Sequence, residues 1–488
     1  MALELTATAK KTNWRWTICS LLFFATTINY LDRQVLSLTW KQFIVPEFHW
    51  TDADYGFITA FFSLFYAVVS LFAGKIIDFL GTKRGYLWAI FIWSFAACLH
   101  ALCGWATEAF VGVESLADIQ AGSGMAFTIA TVSVWFFLAC RILLAVGESG
   151  NFPAAIKTTA EYFPKMDRAF ATSIFNAGAS VGALAAPLCI PALAEAYGWE
   201  MAFVIIGALG FVWMGFWTKM YSRPDKSKYV NKAELEYIMQ DDAGESEKEI
   251  NEEETKTIPF WHCFKFRQTW AFIAGKAFTD GVWWFFLFWA PAYFADQFGY
   301  EASSSMGQAL LFTLYAIVTG LSICGGYLPK LFVEKQGMNP YAGRMRAMLM
   351  FAFIPAFALF AQPLGEISAW WPAIIIGLTG AAHQAWSANL YSTIGDMFPK
   401  STVASIVGIG TMAGGLSSFA INWGSGILFD YAEGMGSSFQ FLQFGGKPAG
   451  YMIVFSICAV SYLLAWCVIK ILVPRYKKID IFNSDADI

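Results

Sequence analysis

The sequence predicts an all-α membrane protein of twelve transmembrane helices in two six-helix halves, and three observations predict it. Of 488 residues, 57% are hydrophobic and only 14% charged, whereas a soluble domain carries about a quarter charged residues. Apolar stretches close to the roughly 20 residues that a helix needs to cross the hydrocarbon core recur along the whole chain. One highly charged segment, "SRPDKSKYVNKAELEYIMQDDAGESEKEINEEETKT", divides those stretches into six and six.

Hydropathy and breaker residues place the spans at 15–38, 55–77, 86–105, 127–155, 169–193, 201–221, 269–294, 307–328, 347–363, 371–395, 403–428 and 451–473. Lys10, Lys11 and Arg15 precede the first run, but no small-residue cleavage site follows it, so a retained first helix is expected. The expected units are an N-terminal half (1–221), a linker (222–268) and a C-terminal half (269–488). The linker is too polar to enter lipid and holds one short helix at "KAELEYIMQ". The loops 106–124 and 429–450 exceed a bare connection and read either as lids or as tolerated surface insertions.

Lysine and arginine sort by loop. One set of loops carries Lys83, Arg84, Lys165, Arg168, Arg223, Lys335, Arg344, Arg346, Lys400 and the run from Arg475 to Lys478. The opposite set holds only Lys41 and Lys447 among acids that include Glu108, Glu114, Asp118, Glu195, Glu301 and Glu433. The positive-inside bias then puts both termini in the cytoplasm. A net charge of −4 with dispersed basic residues gives no nucleic-acid footprint. The nine cysteines lie mostly in apolar runs without metal-ligand spacing and read as packing residues. No metal, cofactor or nucleophile constellation supports an enzyme.

The stretch "TTINYLDRQVLSL" (26–38) breaks an apolar run with Asp32 and Arg33. A charge at mid-membrane costs about 2.5–3.5 kcal/mol on insertion scales. Arg141 and Glu148 in the fourth span and Lys276 and Asp280 in the seventh raise the same question, so these groups must face a protein-lined or aqueous space. Arg141 and Glu148, seven residues apart, share a helix face. Lys276 and Asp280 are one turn apart and can pair directly, as a structural bridge or as part of a site. For the first and fourth spans, two acids and two arginines without a local partner are better explained by transport than by helix bridging.

After the second span, "GKIIDFLGTKRG" carries Gly74, Asp78, Gly81, Lys83 and Arg84. It resembles the signature of the major facilitator superfamily, whose glycines permit close helix approach and whose acidic and basic residues lock the loop. The resemblance implies a gating role. The second-half counterpart, "GGYLPKLFVEKQG", keeps the glycines but has Pro329 where an acid is expected. Two homologous halves around a midplane site follow from that likeness.

"NYLDR", "CRILLAVGESGNFPAAIK" and "EYFPKMDRA" resemble the anion:cation symporter group of that superfamily, while "GKAFTDGVWWFFLFWAPAYF" and "HQAWSANLYSTIGDMFPK" are similar to its hexuronate branch. The likeness implies that Asp32 and Glu148 titrate the coupled protons, that Arg33 meets a substrate carboxylate, and that Arg141 couples to the acids. It also implies that Tyr30, Tyr66 and Trp386 line the site. At two positions where the galactonate branch has amides this chain has Ala179 and Thr411, with Asn176, His383, Gln384 and Asn389 as other polar groups nearby. Trp283 and Trp284 can stack on a sugar ring or merely pack. His383 can titrate or serve as a hydrogen-bonded structural histidine.

Together these readings predict proton-coupled symport of a sugar acid, a hexuronate such as glucuronate or galacturonate, across the inner membrane by alternating access. The expected partners are the sugar-acid anion, protons and the bilayer, with the chain a monomer. Aldonates or other organic anions are the alternative substrates, and a nutrient sensor that binds without transporting is the alternative of another class.

Overall fold

The computed structural model describes residues 11–116, 118–240, 258–322, 324–398, 400–477 and 479. Six long helices precede the linker: α1 (Trp14–Thr39), α2 (Asp52–Leu80), α3 (Thr82–Leu99), α4 (Gly124–Glu148), α5 (Lys165–Tyr197) and α6 (Trp199–Met220). Six follow it: α7 (Arg267–Phe298), α8 (Ser305–Ser322), α9 (Pro340–Phe353), α10 (Trp370–Met397), α11 (Lys400–Met435) and α12 (Lys447–Leu472). Glycines with positive φ make the sharpest joints, Gly81 (76°) between α2 and α3 and Gly198 (90°) between α5 and α6.

Packing repeats with a shift of six helices. In the first half α1 lies on α5, α2 on α4 and α3 on α6; in the second, α7 lies on α11, α8 on α10 and α9 on α12. The halves meet where α2 packs on α11 and α5 on α8. Glycines let α2 and α11 approach closely: a Cβ on Gly56 would lie 2.7 Å from the Asn422 carbonyl oxygen, and one on Gly415 would lie 3.0 Å from that of Ser63. The Ser418 hydroxyl donates to Ser63 Oγ at 2.9 Å across the same seam.

Among the described residues, nine helices are long and apolar enough to cross a membrane by length and composition alone. The other three long helices, α1, α7 and α10, carry Asp32 and Arg33, Lys276 and Asp280, and His383, Gln384 and Asn389 respectively. Their polar groups are tolerated because protein surrounds them. In α7 every residue from Phe285 to Phe294 is buried, so that stretch is covered on all faces.

Three expectations need correction in detail. The linker helix forms over Lys232–Ile238, but it is docked rather than solvated. Its Glu234, 0% exposed, pairs with Arg15 at 3.0 Å and accepts from the backbone N–H of Trp14 and of Arg15. Linker residues 241–257 lie outside the described residues. The fourth span is interrupted: α4 ends at Glu148, and after Ser149 and Gly150 a second helix runs from Asn151 to Tyr162. Finally, α11 runs to Met435, and a two-strand hairpin, β1 (Gln440–Phe441) with β2 (Phe444–Gly445), leads into α12. The hairpin is anchored by Phe444, buried against Ala449 and Met452.

Candidate functional site

Glu148 closes α4 at the break, where α4 lies directly on α3. A Cβ on Gly147 would stand 2.8 Å from the Ala89 carbonyl oxygen, so glycine permits the approach that carries Glu148 toward α1. There it meets Arg33. Arg33 Nε and Nη2 both donate to Glu148 Oε2, at 2.9 and 2.7 Å, leaving Oε1 without a hydrogen-bond partner among the described residues. Both side chains are buried, Arg33 at 4% exposure and Glu148 at 1%.

Aromatic rings box the guanidinium. Its Cζ lies 4.8 Å from the Tyr66 ring centroid, 5.0 Å from Trp284, 5.2 Å from Tyr30 and 5.9 Å from Phe62. These distances suit cation–π attraction. Trp284 comes from α7 and the others from α1 and α2, so both halves contribute to the box. Asp32, the neighbour of Arg33 in sequence, is 1% exposed, and neither of its carboxylate oxygens has a hydrogen-bond partner among the described residues.

The pairing differs from the expected coupling of Arg141 to the acids. Among the described residues Arg141 forms no ion pair; its Nη1 reaches the Arg33 carbonyl oxygen at 3.5 Å, and its Nε has no hydrogen-bond partner. Seven-residue spacing does bury Arg141 and Glu148 within the bundle, but the helix ends at Glu148 and turns that carboxylate to α1. The acid of α4 and the base of α1 are therefore the direct pair.

In the C-terminal half Lys276 Nζ lies 2.6 Å from Asp280 Oδ2, the one-turn pair that the sequence predicts. The ammonium also lies 4.9 Å from the Tyr391 ring centroid. Asp280 sits against α11, where a Cβ on Gly414 would come within 2.8 Å of its Cγ. His383 takes the structural alternative: its Nδ1 and the Tyr462 hydroxyl are 2.8 Å apart, and its ring stacks on Trp283 at 5.6 Å. Trp283 thus packs, while Trp284 joins the Arg33 box.

Several expected lining residues stand elsewhere. Trp386 is 0% exposed and donates to the Gly275 carbonyl oxygen at 3.4 Å, within the packing of α10 on α7. Asn389 bonds back to the Ala385 carbonyl oxygen and borders a crevice with Lys330 and Arg344. Thr411 bonds back to the Val407 carbonyl oxygen at 2.9 Å. Asn176 is exposed, two residues from Gly178, whose own face lies against α1. Gln384 is half-buried in α10. Sequence reasoning missed Phe62 and Tyr391. Phe62 is one turn before Tyr66 and shares its face, a spacing that identifies it.

The signature after α2 makes different contacts from those implied. Asp78 pairs with Lys157 at 2.7 Å, a residue of the helix after α4. Lys83 donates to the Thr218 carbonyl oxygen at the end of α6 at 2.9 Å, and Arg84 is exposed. Gly74 has open space around it. The loop is held by its neighbours rather than by its own acid and bases.

Polar ties between the halves gather at the end that carries few basic loops. Gln42 donates to Ser303 Oγ at 2.8 Å, and the Tyr55 hydroxyl donates to the Phe288 carbonyl oxygen at 2.8 Å. The Asp430 carboxylate of α11 accepts the first N–H groups of α2, from Asp52 and Ala53, each at 2.8 Å.

Two repeated six-helix halves, buried charges inside α1 and α7 and a seam tied at one end define a multi-pass membrane transporter, not an enzyme. Residues 22–421 match the Major Facilitator Superfamily, and the chain belongs to that superfamily. It is 27% identical to the hexuronate transporter of Escherichia coli (strain K12), over 83% of this chain and 85% of that one. It is 26% identical to the galacturonate transporter of Dickeya chrysanthemi, over 72% of this chain and 94% of that one. The fold is shared with a bacterial homologue of the human lysosomal transporter Spinster in an inward-facing and occupied conformation, with a TM-score of 0.67 and 18% identity over 96% and 98% of the two chains.

Proposed function

We propose that this chain is a monomeric, proton-coupled importer of a sugar acid, a hexuronate such as glucuronate or galacturonate, in the inner membrane with both termini cytoplasmic. The observation that carries this reading is the Arg33 guanidinium, buried in an aromatic box and held by one carboxylate oxygen of Glu148. A planar fork binds a carboxylate through two parallel N–H groups, and flat rings beside it suit the apolar face of a sugar. When Glu148 takes a proton, its hold on Arg33 weakens and a substrate carboxylate takes its place. Asp32 is the second proton site, and Arg141, whose Nη1 reaches the Arg33 carbonyl oxygen at 3.5 Å, adds positive charge to the same buried space.

Orientation follows from the basic loops. The tied end then faces outward, so this state is inward-facing, and substrate and protons leave to the cytoplasm before the halves rock back. Names of the relatives favour uronates, and Ala179 and Thr411 in place of amides weigh against galactonate. The test is a panel of glucuronate, galacturonate and galactonate in proteoliposomes, with an imposed pH gradient and without one. Uronate accumulation driven by the gradient is expected; uptake that survives dissipation of the gradient removes the proton part, and preference for galactonate removes the uronate part.

A further inference from the structure

At the end with few basic loops, four side chains close a ring across the two halves. Lys41 follows α1 and Asp52 opens α2, both in the N-terminal half. Asp296 lies near the end of α7 and Lys447 opens α12, both in the C-terminal half. Lys41 Nζ stands 3.1 Å from Asp52 Oδ1 and 2.9 Å from Asp296 Oδ1. Lys447 Nζ stands 2.8 Å from Asp296 Oδ2 and also pairs with Asp52. Both acids are nearly inaccessible, with side-chain exposures of 2% for Asp52 and 9% for Asp296. The Tyr451 hydroxyl donates to Asp296 Oδ2 at 2.9 Å, and Glu433, exposed at the rim, lies 3.3 Å from Lys447 Nζ.

Signs alternate around the ring, and each half brings one cation and one anion. We propose that this ring is the latch of the outer gate and that it opens by giving up partners without stranding a charge. Two contacts, Lys41 with Asp296 and Lys447 with Asp52, join the halves and part on opening. The other two, Lys41 with Asp52 and Lys447 with Asp296, lie within a half and persist. A lone buried ion pair across the seam would leave two unpaired charges when it broke, which is strongly unfavourable. Here every charge keeps an opposite neighbour in both states. The latch therefore adds attraction to the closed state while keeping the open state accessible, as a two-position gate requires. It also accounts for the only two lysines among the acidic loops of this end.

Reversal of one half separates the two kinds of contact. Asp296→Lys with Lys447→Asp preserves that half's own pair but sets like charges against Lys41 and Asp52. Adding Lys41→Asp and Asp52→Lys restores opposite signs at all four contacts. Spin labels at Phe110 and Ile367, both exposed near this end, report the gate by pulsed electron resonance on the full chain in nanodiscs, with the native cysteines replaced. The half-reversed protein is expected to move from the short to the long distance, and the fourfold reversal to return to the short one. A short distance in the half-reversed protein, or a long one in the fourfold protein, overturns the proposal. Should the half-reversed protein not fold, Asp296→Asn with Lys447→Gln removes both cross-seam contacts without repulsion; it must also lengthen the distance, and an unchanged distance overturns the latch. The readout needs no substrate, so it stands or falls apart from the sugar-acid reading.

Discussion

Arg33 is held by Glu148 through two N–H groups, and in the proposed function a substrate carboxylate takes over the same two groups. Arg33→Lys keeps the charge but offers a point ammonium in place of a planar fork. Losing one charge-assisted hydrogen bond, worth about 1.5–3 kcal/mol, should weaken substrate binding roughly ten- to hundredfold; titration calorimetry on the purified variant checks this, and wild-type affinity would remove Arg33 from the site. A second residue gives a pH dependence. Glu47, on the short helix Val45–Phe48 between α1 and α2, accepts the Trp199 indole N–H at 2.7 Å. Burial pushes its carboxyl up to about 7; the Trp199 bond works against that shift, and the Glu200 and Glu108 carboxylates add to it. For an acid raised in the folded state, the stabilisation is complete below its ordinary value near 4.5 and is lost as pH rises through about 7. Glu47→Gln should therefore show a smaller fall in Tm between pH 4.5 and 8 than the parent protein, and equal falls would show that Glu47 does not titrate in this window.

At the scale of elements, the helices that are hardest to read as membrane spans are the informative ones. α1, α7 and α10 fall short of the apolar composition of the other nine because they carry the buried polar groups, and position in the bundle, not composition, makes them tolerable. Twelve spans and the Lys276–Asp280 pair are legible in the sequence because hydropathy and one-turn spacing are local properties. The Arg33–Glu148 pair is not, since 115 residues separate its members and the break after α4 aims the carboxylate. For the same reason Trp386 reads as a lining residue although packing of α10 on α7 buries it, and Asp78 finds Lys157 instead of the bases beside it. Lys276 and Asp280 yield a prediction on α7 itself. Removing one member leaves a buried charge unpaired, at a cost of about 3–5 kcal/mol, whereas neutralising both does not. Lys276→Gln/Asp280→Asn should then melt closer to the parent protein than either single variant; an Asp280→Asn protein as stable as the parent would show that the pair contributes nothing.

For the whole molecule, α1–α6 and α7–α12 repeat one packing and meet at the α2–α11 seam, and the proposed transport cycle rocks these two bodies about the Arg33 box. In that proposal Glu148 carries the coupled proton. Glu148→Gln fixes a neutral side chain of nearly the same size, which mimics the protonated state and leaves Arg33 free for substrate. Exchange of substrate across the membrane needs no net deprotonation on the inner side, so counterflow should persist. Net uphill accumulation should fail, because the empty carrier cannot lose its proton before it returns. A Glu148 that only holds Arg33 in place predicts loss of folding or of both transport modes together, since Arg33 is then stranded without its partner. Counterflow and pH-driven uptake measured on one Glu148→Gln preparation in proteoliposomes are the most direct test: retained counterflow with abolished pH-driven uptake is the predicted result, and normal pH-driven uptake would contradict the account.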